Sequence, residues 1–311
     1  MPQFVVAMLL LVMPTLAVSQ EGRPGIQRVR SEMLVSTSWL ADHLRDKNVI
    51  ILHVARERNH YEASHIPGAR FLLWSEFVTM RDGIANELPT VEQLQQVFGR
   101  LGIGNSARII LYGDTAGLSA ARAYFTLDYL GHGHRAALLD GGLEKWKVEG
   151  RTVSTDPVTS EQAEFTPNIQ SGALTNLNAM RDYSSRATSL STSKLAIIDA
   201  RPDEQYAGSA VASSDQRSGH IPGATSLYWT KEIVSRENPA VRAVSELQQL
   251  FETAGVKPGD KVVTYCTSGV QASHSYFIAK YLGYDVTMYD GSFSEWSKAE
   301  GTKVVSGQNP K

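Results

Sequence analysis

Short apolar runs alternate with amphipathic stretches along most of the chain, and this pattern is clearest in its second half. The runs 195–198, 261–265 and 285–289 predict three β-strands, because they are short and rich in β-branched or aromatic residues. The stretches 244–254 and 272–282 have the spacing of helices. Strands that alternate with helices indicate parallel pairing through helical crossovers, so we expect an α/β fold in which helices flank a mostly parallel sheet.

The same order of segments occurs twice in the chain. SHIPGARFLLW (64–74) returns as GHIPGATSLYW (219–229), and LLDGGLEKW (138–146) returns as MYDGSFSEW (288–296). DYLGH and KYLGY form a third matched pair between them. A repeat of about 150 residues predicts two tandem domains. We place them at 30–150 and 173–305, joined by the polar, proline-containing linker 151–172.

The N-terminus differs from the rest of the chain. FVVAMLLLVMPTLAVS (4–19) is apolar and uncharged, and it ends in small residues. Because Pro14 interrupts it before the ~20 residues of a spanning helix, it is more typical of a signal peptide over residues 1–20, cleaved after Ser19 or Gln20. No Lys or Arg precedes the apolar core, which departs from the usual form. We expect an exported protein, located in the periplasm.

Composition narrows the functional classes. The 311 residues carry a formal net charge of -2, without the basic stripe that a nucleic-acid partner requires. No glycine-rich loop with an adjoining Lys is present, which argues against nucleotide hydrolysis. The chain has one cysteine, Cys266, so it cannot form an internal disulfide. An unpaired thiol in an exported protein favours a chemical use of that thiol.

Cys266 directly follows the predicted strand 261–265 and precedes a small, polar loop and a helix. A strand, a tight loop and a helix N-terminus together aim backbone N–H groups and a partial positive charge at one point. We therefore expect the thiolate of Cys266 to be stabilised and nucleophilic. The alternative is a cysteine that packs as a small hydrophobe. Asp114 occupies the matching position in the first copy, which argues against an apolar environment there.

The cysteine loop, the two HIPGA segments and the DGS…W segment resemble the tandem-domain rhodanese family. The resemblance implies two rhodanese-like domains, of which only the second is catalytic, and it implies neither a cofactor nor a metal. It makes Cys266 the nucleophile that carries sulfur as a persulfide, and Arg201 the residue that binds the anionic substrate. It implies that the loop residues hold the transferred sulfur and the anion; these are Thr267, Ser268, Gly269, Val270 and Gln271.

The resemblance implies a sulfurtransferase that moves the outer sulfur of thiosulfate to a thiophilic acceptor such as cyanide. An alternative donor is 3-mercaptopyruvate. Family members that use it resemble one another in an Asp and a His from the first domain, and those positions fall near Leu73 and Asn86 here. Neither residue can handle protons in that way, so thiosulfate is favoured.

Two other classes compete with this interpretation. A tyrosine-phosphatase-like enzyme needs an arginine six positions after its cysteine, and that position holds Ala272. A non-catalytic module that binds an anion or sulfur stays open, because a binding loop and a catalytic loop can share this sequence.

Overall fold

A computed structural model describes residues 28–189 and 194–309. The predicted signal peptide at 1–20 lies outside the described residues. Within the described ranges, no helix is both long enough and apolar enough to cross a membrane.

Over residues 28–150, which the structure describes, the first half contains seven strands and six α-helices. Its strands are β1 Leu34–Val35, β2 Val49–Ala55, β3 Arg70–Leu73, β4 Thr79–Arg81, β5 Ile84–Glu87, β6 Arg108–Gly113 and β7 Ala136–Leu139. Its helices are α1 Thr37–His43, α2 Arg58–Ala63, α3 Trp74–Phe77, α4 Val91–Arg100, α5 Leu118–Tyr129 and α6 Gly142–Val148.

The second half repeats this order with fewer strands. Its strands are β8 Leu174–Thr175, β9 Leu195–Asp199, β10 Ala224–Ser226, β11 Lys261–Tyr265 and β12 Asp285–Tyr289. Its helices are α7 Leu177–Ser189, α8 Asp203–Ala207, α9 Val244–Thr253, α10 Val270–Tyr281 and α11 Ser292–Trp296.

Each half builds one five-stranded parallel sheet, in the orders β1-β7-β6-β2-β3 and β8-β12-β11-β9-β10. Strands β4 and β5 form a separate antiparallel hairpin. The predicted α/β fold with helices flanking mostly parallel sheets is confirmed. The strands predicted at 261–265 and 285–289 have the observed bounds, whereas α10 begins at Val270, two residues before the predicted start.

The strands are apolar because the sheets are covered on both faces, as parallel sheets usually are. One apolar core contains buried residues of both halves, including Leu111 of β6 and Val262 of β11. Two smaller clusters fill the outer faces, one centred on β2 and β6 and the other on β9 and β11.

Helices α5 and α10 pack against each other across the boundary between the halves. The Tyr124 ring meets Phe277 edge to face at 4.9 Å, and Phe125 meets Tyr276 in the same way at 5.1 Å. Tyr124 and Tyr276 are matched positions of the repeat, as are Phe125 and Phe277. The contacts are therefore reciprocal, and the halves pack with approximate twofold symmetry.

Candidate active site

Cys266 lies where β11 ends and the loop to α10 begins, at the carboxyl edge of the second sheet. Ligand sites of parallel α/β sheets form at such an edge. The loop curls back at Gly269, whose φ of 78° is accessible to glycine at little cost. The side chain of Cys266 is 1% exposed and borders the shared apolar core.

Backbone N–H groups of the loop and of the first turn of α10 point at the sulfur. The N–H groups of Ala272, Ser268 and Gln271 hydrogen-bond to the sulfur and lower the pKa of the Cys266 thiol. Burial acts in the opposite direction and is larger, so the pKa is raised above its ordinary value. The expectation of a thiolate stabilised in the resting protein is therefore wrong. The donors favour negative charge on the sulfur, whereas burial in the surrounding apolar core favours the neutral thiol.

Ser292, the first residue of α11, holds the backbone of the cysteine loop with its hydroxyl group. This role was not predicted from the sequence. The Ser292 Oγ accepts hydrogen bonds from the N–H groups of Cys266 at 3.2 Å and Gly269 at 3.0 Å. Its own hydroxyl proton goes to the Tyr289 carbonyl at 2.8 Å. The φ of Ser292 is 52°, a region that favours glycine, and the first copy has Gly142 at the matching position. A comparison of DGG in the first copy with DGS in the second would have indicated it.

The start of α11 holds the loop through further backbone bonds. The N–H of Phe293 donates to the Cys266 carbonyl at 2.9 Å, and the N–H of Ser294 donates to the Thr267 carbonyl at 3.0 Å. The free N–H groups of a helix start thus orient the loop carbonyls away from the sulfur. This leaves the loop N–H groups to face the sulfur.

Replacing Ser292 by Gly tests whether the Ser292 hydroxyl holds the cysteine loop in place. Gly accepts the positive φ, so the variant removes the hydroxyl without adding backbone strain. Two buried N–H groups lose their acceptor, at about 1–3 kcal/mol each, and we expect kcat/KM for the reaction at Cys266 to fall ~10–100-fold. Steady-state kinetics measures this effect. Ser119→Ala, which removes a buried hydroxyl beside Asp114, is the matched control. An unchanged kcat/KM in Ser292→Gly would contradict the assigned support.

The rim of the loop is polar and uncharged. Thr267 faces Gln205 across 3.4 Å, and Ser268 accepts a hydrogen bond from the Asn86 amide at 2.9 Å. Asn86 belongs to the β4–β5 hairpin of the first half, so that half reaches the loop. Val270 and Gln271 lie in the first turn of α10, half-buried. The structure therefore brings Thr267, Ser268, Gly269, Val270 and Gln271 around Cys266, and their roles toward substrate stay predictions.

Arg201 is near the loop but already engaged. Its Nε and Nη2 atoms bind the Asp199 carboxylate, with Nη2 at 2.6 Å from Oδ2, and Nη2 also donates to the Gly219 carbonyl. The guanidinium stacks on Phe293 at 3.9 Å. Burial opposes its charge, but the Asp199 carboxylate outweighs burial and raises the pKa of Arg201. Asp199 thus balances the charge on which anion binding would depend, and the substrate-binding role of Arg201 stays a prediction.

The matching site of the first half has no thiol, and the alignment of Asp114 with Cys266 is off by one residue. The Tyr112 and Tyr265 hydroxyls accept from the matched N–H groups of Ile66 and Ile221, so Gly113 stands where Cys266 stands and Asp114 follows it in a loop that is one residue longer. The Asp114 carboxylate accepts bonds from the Arg56 N–H at 2.9 Å and the Ser119 hydroxyl at 2.5 Å. A large cavity of about 1030 Å³ lies elsewhere between the halves, lined in part by Arg30, Tyr124 and Tyr276. Neither place brings a thiol to a ring of N–H donors.

A family model described as "Rhodanese-like domain" matches residues 36–149 and again residues 186–299. The chain belongs to the rhodanese family. Each match covers four of the five strands of one parallel sheet, in agreement with the tandem repeat. The predicted boundaries at 30–150, 151–172 and 173–305 stay predictions.

Known relatives cover nearly the whole rhodanese region. The "Sulfur carrier protein TtuD" of Thermus thermophilus is 33% identical over 290 residues, which is 89% of this chain and 98% of that protein. A Mycobacterium bovis protein, provisionally named thiosulfate sulfurtransferase 1, is 29% identical over 286 residues, covering 89% and 99% of the two chains. The solved structure of SseA from Escherichia coli, described as a 3-mercaptopyruvate sulfotransferase, has a TM-score of 0.74 at 26% identity, and the match covers 85% of this chain and 99% of that chain.

Proposed function

We propose that this protein is a sulfurtransferase that takes the outer sulfur of thiosulfate onto Cys266 and passes it to a thiophilic acceptor such as cyanide. The observation that carries the proposal is the ring of loop N–H groups directed at the only thiol of the chain. Membership of the rhodanese family and the names of the relatives support the sulfurtransferase class. The choice of thiosulfate and cyanide rests on the resemblance and is the part to be tested.

The first step loads the sulfur. The Cys266 thiol loses its proton to solvent, and the thiolate attacks the outer sulfur of thiosulfate. A new S–S bond forms while the S–S bond of thiosulfate breaks, and sulfite leaves with the electron pair. The N–H groups of Ser268, Gln271 and Ala272 offset the negative charge that the transferred sulfur carries.

The second step unloads it. Cyanide attacks the terminal sulfur of the persulfide, the S–S bond to Cys266 breaks, and thiocyanate leaves while the thiolate is restored. One covalent intermediate visited twice gives ping-pong kinetics. Each step transfers one neutral sulfur atom, so neither requires an external oxidant or reductant.

The uncharged rim of the loop limits how an anionic sulfur donor can be bound. Thr267, Ser268, Gln205 and Asn86 provide hydrogen-bonding groups but no charge. A dianionic donor would therefore depend on backbone N–H groups and on the Nη1 atom of Arg201, for which the described residues supply no hydrogen-bond partner. The similarity to SseA makes 3-mercaptopyruvate the second candidate. Against it, Asn86 reaches the loop as an amide, which cannot relay a proton.

Mass spectrometry of the intact protein after thiosulfate treatment tests the proposal. We expect the mass to rise by one sulfur atom and to return to its starting value when cyanide is added, with thiocyanate released. Cys266→Ala is the matched control and should show no gain. Parallel treatment with 3-mercaptopyruvate identifies the donor. Loading by thiosulfate without release to cyanide would indicate a sulfur carrier, and no loading by either donor would exclude sulfur transfer.

A further inference from the structure

A buried ion pair joins the two halves directly beneath the cysteine loop. Arg122 of α5, fully buried, donates from Nη1 to Asp290 Oδ1 at 2.5 Å and from Nη2 to Asp290 Oδ2 at 3.0 Å. Nη2 also donates to the Asn86 carbonyl at 2.5 Å. Two parallel bonds from a guanidinium to a carboxylate fix both groups in one orientation. Asn86 is the residue whose amide contacts Ser268, so Arg122 holds the loop's neighbours on two sides.

The ion pair lies against Gly269, the residue at which the loop curls. A Cβ atom at Gly269 would lie 2.5 Å from Asp290 Oδ1 and 2.8 Å from Arg122 Nη1. The pair therefore occupies the space immediately beside the backbone of Gly269. The N–H of Gly269 is held at the same time by Ser292, two residues after Asp290. The loop is thus fixed at its sharpest point by three side chains from elsewhere in the chain.

The first half provides an internal comparison, because the repeat puts His274 opposite Arg122 and Asp140 opposite Asp290. His274 pairs within its own half, with Glu232 at 2.6 Å. Asp140 binds Lys145 and the Val241 N–H instead. At Gly117, which matches Gly269, a Cβ atom would have no neighbour within 4 Å. The support beneath the loop therefore exists only at the site that has the cysteine.

We propose that Arg122, from the half without the nucleophile, is a positioning residue for the Cys266 loop. Its guanidinium orients Asp290, and the pair fixes Gly269 so that the N–H groups of Ser268, Gln271 and Ala272 face the sulfur. The inference rests on the proposed function for its biological meaning. Its test uses the thiol itself, so that failure of sulfur transfer and failure of the positioning role give different results.

The rate at which iodoacetamide alkylates Cys266 measures how well the loop N–H groups stabilise the thiolate. This uncharged reagent labels the one cysteine of the chain. We expect Arg122→Gln to slow alkylation at pH 8 about tenfold, because misaligned N–H groups stabilise the thiolate less, and Arg122→Lys to recover part of the rate. His274→Gln breaks the comparably buried pair at the matched position and is the control, expected within twofold of the parent. Urea unfolding establishes that each variant is folded at the assay temperature.

A folded Arg122→Gln that reacts at the parent rate or faster would overturn the proposal. Should Arg122→Gln not fold, Arg122→Lys supplies the result, because lysine keeps a positive charge beside Asp290 but cannot make the two parallel bonds to its carboxylate. Its alkylation at pH 8 should be slower than that of the parent, and a folded Arg122→Lys that reacts at the parent rate or faster would overturn the proposal.

Discussion

Cys266→Ser is expected to lose thiosulfate:cyanide sulfur transfer by at least about 10³-fold, because no other group can form the covalent intermediate. A serine hydroxyl ionises far less readily than a thiol and forms no persulfide. The loop geometry should survive, since the N–H groups of Cys266 and Gly269 bind the Ser292 hydroxyl whatever side chain stands at 266. Thiocyanate release in a steady-state assay gives the measurement.

The matched control for Cys266→Ser lies in the first half. Asp114→Asn changes the residue that follows Gly113, the position that corresponds to Cys266, and we expect it to leave turnover within twofold of the parent. If Cys266→Ser retained turnover, another group would have to carry out the reaction. The persulfide route through Cys266 would then be refuted. A loss of turnover in Asp114→Asn would show that the first half takes part in the reaction beyond its contacts at Asn86 and Arg122.

Arg201→Met is expected to lower the free energy of unfolding by about 3–5 kcal/mol, because it leaves the Asp199 carboxylate buried without its cation. Asp199 is fully buried, and its second oxygen also accepts the Tyr265 hydroxyl at 2.7 Å. Urea unfolding measures the effect. Arg56→Met is the matched control: Arg56 occupies the corresponding place in the first half, is exposed and stacks on Trp74, and its loss should cost about 0.5–1 kcal/mol.

Kinetics of Arg201→Lys separates the structural role of Arg201 from the role in substrate binding. Lysine keeps the positive charge toward Asp199 but cannot keep the two-nitrogen contact or leave a free nitrogen for substrate. If Arg201 also binds the donor, KM for thiosulfate rises more than kcat falls. Equal behaviour of thiosulfate and of an uncharged donor in this variant would argue that Arg201 only holds Asp199.

The strands and helices were readable from the sequence because their signals are local. The strands at 261–265 and 285–289 are continuous apolar runs bounded by polar residues, and both are observed with those bounds. The start of α10 was placed two residues late, because Val270 and Gln271 were assigned to the loop from composition alone. The left-handed backbone at Gly269 ends the loop and allows the helix to begin directly after it.

Only part of the candidate site could be predicted from the sequence. The cysteine and its loop are local features of the sequence, whereas the alignment of Asp114 with Cys266 was off by one residue, because the loop of the first half is one residue longer. Ser292 was missed because its role appears only when α11 is placed under the loop, and Arg122 because its partner Asp290 is 168 positions away. The pKa direction of the thiol was wrong because it depends on burial by both halves, which no local pattern contains.

The sequence by itself determined the order of strands and helices, the duplication and the place of the thiol at a strand end, since hydrophobic spacing and repeated segments are properties of neighbouring residues. Only the tertiary structure decided which groups surround the sulfur and what they do to its charge. Hydrogen bonding and burial depend on distances between atoms, and the packing of α5 against α10 sets those distances for residues far apart in the chain.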